Sequence, residues 1–332
     1  MAWTRPTVAV AAVLLAAAAL MAARAARSER DTPRAATETM AEVVVEGRHE
    51  GPRMWRVRQG DHVLWILGTV SPLPKKMVWQ PDQVQAVLGQ VQEVVPAWPS
   101  YGIGANPITA LRLYIQWRHM QKPPDHLPLR ETVPPDLYAR VQALKARYDP
   151  HDNTLEQLRP MLAAERLLLR VLDASGLTAH NEVQARVLEL ARDAGVHVRQ
   201  DKLKIDDPVD VLKDVGAAPL SGEVACLETV VTRLETDLGP MQQRARAWAL
   251  GDVDTLRSLP HTDNRTACVA AVSTSERVRT IIERAEEDWL VSVQEALHRN
   301  RGTLAVQSMD RLLGEHGALA QLRARGYEVE GP

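Results

Sequence analysis

The chain has 332 residues, with 40 Lys+Arg against 42 Asp+Glu and a formal net charge of -2. That balance excludes the broad basic surface that nucleic-acid binding requires, and Lys75-Lys76 is too short to make a patch. Phe is absent while Trp is used 8 times, so indoles are expected to serve as the large core fillers and not as a binding platform.

Arg5 precedes an apolar run over 8–23, and Ala23-Arg24-Ala25 offers an Ala-x-Ala cleavage site. These features predict a signal peptide over 1–25 and a periplasmic or secreted product. The run is short and alanine-rich against the roughly 20 residues of a bilayer span, so no stable membrane span is expected after cleavage. Residues 26–50 are rich in charge, Ala and Thr, too polar to bury a face, and are expected to be a flexible linker. The remainder, 51–332, shows no second linker and is expected to be a single α/β domain.

Within it, 54–68 alternates, breaks at Gln59-Gly60-Asp61 and becomes continuously apolar, which predicts a hairpin leading into a buried strand. Pro81-Asp82 opens a helix to about Gly89, and Glu93-Val94-Val95 reads as the next strand. Helical periodicity over 160–174, 181–194, 223–238, 241–250 and 276–299 supplies the surrounding layers. Gly195 and Gly326 cap helices that lead into strands at 196–198 and 327–329, and 303–307 is an apolar strand before a helix over 316–325. The alternation predicts a central mixed β-sheet with an N-terminal hairpin, surrounded by many α-helices. Asp206, Asp207 and Asp210 precede or open a helix, where capping and the helix dipole account for them.

Cys226 and Cys268 are the two cysteines. In an exported chain an even count favours a disulfide, against a buried free pair or metal ligation. Metal ligation has no Cys-x-x-Cys framework to support it.

Leu64-Trp65-Ile66-Leu67-Gly68-Thr69-Val70-Ser71, followed by Trp79 and a helix, resembles the opening of the TraB/GumN family, whose first motif is Gly-x-x-His after a strand. At the other end, Arg311-Leu312-Leu313-Gly314, Gly317 and Gly326-Tyr327-Glu328-Val329 resemble the family's closing segment, where a His precedes Leu-x-Gly. The resemblance implies an α/β fold and, from the Tiki-type members, metal-dependent hydrolysis of peptide bonds. Such chemistry needs imidazoles and a carboxylate around a divalent ion with an open position for water.

The sequence departs at each of those places. Ser71 stands at the first His position, Pro96 near the acidic one, and Arg311 at the second His, while Gly68 is kept. Guanidinium remains protonated and has no lone pair to give a metal. Like unit charges 4 Å apart repel by about 4 kcal/mol at an effective dielectric of 20, and a divalent ion doubles this. The expectation is therefore a non-catalytic homologue without cofactor or bound metal, its Arg suited to a peptide or anionic ligand. The alternative is a divalent-metal hydrolase drawing ligands from Glu93, Glu315 or His316. Ser71 as a nucleophile needs a base within about 3 Å; His62 lies roughly 30 Å along the same strand, leaving His261 or His316 as distant partners.

Overall fold

β1 (Met54–Gln59) and β2 (His62–Thr69) pair antiparallel as the expected hairpin. The computed structural model describes residues 51–98, 100–102, 106–123, 126–259, 264–313 and 316–332; the expected signal peptide and linker lie outside them. After the hairpin come β3 (Leu73–Pro74), α1 (Asp82–Leu88), β4 (Glu93–Val95), β5 (Ser100–Gly102), α2 (Pro107–Met120), α3 (Leu129–Thr132) and α4 (Pro135–Tyr148). They are followed by α5 (Pro160–Ala174), β6 (Leu177–Thr178), α6 (Glu182–Asp193), β7 (His197–Val198), β8 (Lys202–Lys204) and α7 (Pro208–Gly216). The last part holds α8 (Leu220–Thr236), α9 (Leu238–Leu250), α10 (Val253–Ser258), α11 (Asn264–Val272) and α12 (Glu276–Arg299). β9 (Gly302–Ser308), α13 (Met309–Leu312), α14 (Ala318–Ala324) and β10 (Glu328–Glu330) close the chain.

The main sheet has the order β10-β1-β2-β9-β4-β7. β2, β9, β4 and β7 are parallel and β1 runs against both its neighbours, so the sheet is mixed as expected. Side chains alternate between its faces. Leu64, Ile66, Val95 and Ala305 point to one face, with Trp289 and Val293 of α12 and Leu319 and Leu322 of α14. Leu67, Val94, Leu304 and Val306 point to the other, with Val84 and Val87 of α1, Val187 of α6 and Trp248 of α9. Both faces are covered, which is why β2 and β9 read as unbroken apolar runs.

A separate helical cluster packs α4, α5 and α8 through Leu137, Val141, Leu167, Leu227 and Val231. Cys226 of α8 and Cys268 of α11 form a disulfide there. The helices α2 and α4 were not foreseen, and β3–β6 and β5–β8 are short two-stranded pairs outside the main sheet. The Asp206 group does stand at a helix start, with Asp210 in the first turn of α7 where the dipole favours it, but the capping half of the reading needs correction. Asp207 is the N-cap of α7 but makes no side-chain capping bond and has a φ of 48°. Asp206 instead pairs with Lys204 at 2.8 Å and Asp210 with Lys213 at 2.7 Å.

Candidate functional site

In open α/β sheets, ligands gather beyond the carboxyl ends of the parallel strands. Here those ends are Thr69 of β2, Ser308 of β9 and Val95 of β4. Gly68 pairs with Gln307 in the β2–β9 ladder. A Cβ on Gly68 would lie 2.3 Å from Met309 Sδ and 2.8 Å from Trp55 Cζ3, so the position demands glycine for close packing. Its carbonyl accepts the Trp248 indole N–H at 2.6 Å.

Ser71 follows β2 and is exposed. Its hydroxyl donates to the Ala179 carbonyl at 3.4 Å, so its proton points at a backbone acceptor and not at a base. His261 and Glu315, considered as partners or ligands, lie outside the described residues. His316 is exposed and joins the local structure through its carbonyl, which accepts from Gln321 Nε2 at 2.9 Å.

Arg311 sits on α13, one short turn past β9. Its guanidinium carbon is 4.2 Å from the Trp98 ring centroid, while the side chain is 11% exposed and Glu286 Oε1 lies 3.9 Å from its Nη2. Trp98 belongs to the turn after β4, which Gln307 holds by donating to the Ala97 carbonyl at 3.4 Å while Gln184 Oε1 accepts the Ala97 N–H at 2.9 Å. Pro96 opens this turn and offers no side-chain donor atom to a metal.

Glu93 is elsewhere. It is level with Thr303 at the amino end of the parallel strands, five register steps or roughly 16 Å from Ser308. It is 3% exposed, and its carboxylate accepts from Arg299 Nη2 at 2.6 Å and Asn300 Nδ2 at 2.7 Å. It anchors the start of β9 there, beside an open depression of about 840 Å³. Among the described residues, those at the positions the resemblance assigns do not fit a metal centre of the kind it implies: Arg311 is a cation, Pro96 has no donor atom, Ser71 offers only a hydroxyl, and Glu93 lies at the opposite end of the strands.

The structure adds residues that sequence reading missed. A cavity of about 260 Å³ beside Pro96 and Trp98 is lined by Gln184, Asp201, Asp288 and Ser292. Asp201 accepts from Arg199 Nε and Ser292 Oγ, each at 2.6 Å. Burial, with the nearby Asp201 carboxylate adding to it, pushes the Asp288 carboxyl above the usual range. The available signal was position: Arg199 and Asp201 come directly after β7, where an α/β sheet places its polar cleft.

A mixed sheet clothed by helices, with a cleft at its strand ends, defines a protein of the α/β class. The sequence profile of the TraB/PrgY/gumN family matches residues 53–331, and the chain belongs to that family. No curated protein and no solved structure matches it.

Proposed function

We propose that the chain is an exported, non-catalytic member of its family, acting by binding near Arg311 at the carboxyl ends of the parallel strands. The observation that carries this reading is Arg311, stacked on Trp98 just past the end of β9, where the resemblance would put the second histidine. A guanidinium there opposes a divalent ion, and guanidinium is the group that pairs with a carboxylate, as it does with Glu286, or with a phosphate. A peptide or another anionic group is the ligand class that follows. The apolar run over 8–23 with its Ala-x-Ala site supports export.

The test is metal retention and peptidase activity. The purified chain, soaked in zinc or manganese and dialysed, is expected to keep less than one equivalent and to cleave no generic peptide. Retention of one equivalent sinks the reading. The variant Ser71→His with Arg311→His separates decay from unrelated function: metal binding regained only in the double variant supports decay.

A further inference from the structure

α2 carries two apolar faces. Leu113, Trp117 and Met120 pack inward against Val211 and Val215 of α7 and Val278 of α12. At about 100° per residue, Ile108, Leu111 and Ile115 fall on the opposite side within about a sixth of the circumference. They are 70%, 58% and 47% exposed, and Tyr114 beside them is 60% exposed. Single exposed hydrophobics are ordinary, but a stripe on one helix marks an interaction surface.

Charge decides what covers it. Arg112 and His119 border the stripe on one side and Arg118 on the other, and α2 contains no acidic residue. Asp210 of α7 is the nearby acidic group whose carboxylate Arg112 influences, and it is already bound to Lys213 at 2.7 Å with Arg277 at 3.7 Å. A second copy would bring like charges together, and four side chains fall far short of the roughly 20–30 residues a side of a stable protein interface. An anionic leaflet needs only a helix lying flat, with apolar side chains in the acyl boundary and cations at the phosphates.

We infer that α2 docks the protein peripherally on an anionic phospholipid surface, with Ile108, Leu111 and Ile115 inserted and Arg112 and Arg118 at the headgroups. The docking is not a span: among the described residues no helix is long and apolar enough to cross a membrane.

Hydrogen exchange of the full chain tests this, read over α2 itself so that lipid contacts elsewhere in the chain do not count. Vesicles of equal parts phosphatidylglycerol and phosphatidylcholine are expected to slow exchange in α2 about tenfold, and phosphatidylcholine vesicles are expected not to. The slowing should vanish in Leu111→Ser with Ile115→Ser, whose intact fold is checked by unchanged protection of β9. Arg112→Ser should weaken the anionic-vesicle affinity about fivefold. Equal slowing with both vesicle types, or none, overturns the inference. So does slowing that tracks protein concentration without lipid, which assigns the stripe to a second copy.

Discussion

The guanidinium carbon of Arg311 lies 4.2 Å from the Trp98 ring centroid, joining the end of β9 to the turn after β4. A cation over an indole contributes about 1 kcal/mol, more where water is excluded, and this side chain is 11% exposed. A double-mutant cycle with Arg311→Gln and Trp98→Leu, followed by urea unfolding, is expected to give a coupling of about 1 kcal/mol. Independent, additive losses would show that the two side chains are neighbours without attraction.

Gly68 meets the Met309 sulfur and the Trp55 ring, which leaves no room for a methyl group. Gly68→Ala should destabilise the protein by about 2 kcal/mol, the ordinary cost of overpacking a filled core. Met309→Ala in the same chain should return part of that loss, because it removes the nearest atom. Thermal melts of the four proteins measure this, and an alanine at 68 with no effect on its own would contradict the packing account. The motif glycine is thus explained by packing beneath the site.

The sheet was legible because β2 and β9 are buried on both faces and bounded by turn residues, so their apolar runs stand out. α2 was not, since Ile108, Leu111, Leu113 and Ile115 lie on two faces and blur the helical period. Glu93 was correctly placed on a strand, but sequence does not say which end of a strand joins a site until the parallel register with β9 is known. Asp201 and Asp288 come from separate elements, and only the approach of α12 to the segment after β7, where Ser292 donates to Asp201, brings them to one cavity. The disulfide was reached from the expected compartment, whereas its geometric cause is the contact of α8 with α11, where Gly222 allows Ala271 to approach.

Arg159 and Glu223 form a buried pair, 3% and 0% exposed. Arg159 Nε donates to Glu223 Oε2 at 3.2 Å, Nη2 to Glu223 Oε1 and to the Ala218 carbonyl at 3.1 Å, and Nη1 to the Gly216 carbonyl. Burial pushes the Glu223 carboxyl up and Arg159 opposes that shift. Arg159→Met is expected to cost about 3–5 kcal/mol, because it strands a carboxylate inside the helical cluster. Adding Glu223→Leu should recover much of the loss, since replacing both members removes the uncompensated charge. Urea midpoints of the single and double variants decide this, and a mild single-variant effect would count against a structural role for the pair.

Glu165 of α5 is half-buried, and burial pushes its carboxyl up to about 7. Its ordinary value is 4.5. Between those values the folded chain holds a proton that the unfolded chain has released, so stability falls as pH rises through that window and levels off above it. The shift corresponds to about 2–3 kcal/mol after allowance for partial exposure. Glu165→Gln removes the titrating group while keeping its shape. The variant should match the parent near pH 4 and exceed it by that margin near pH 8, measured as urea unfolding free energies at both pH values. A difference between the two proteins that stays constant across the window would mean that the Glu165 carboxyl is solvated in the folded state.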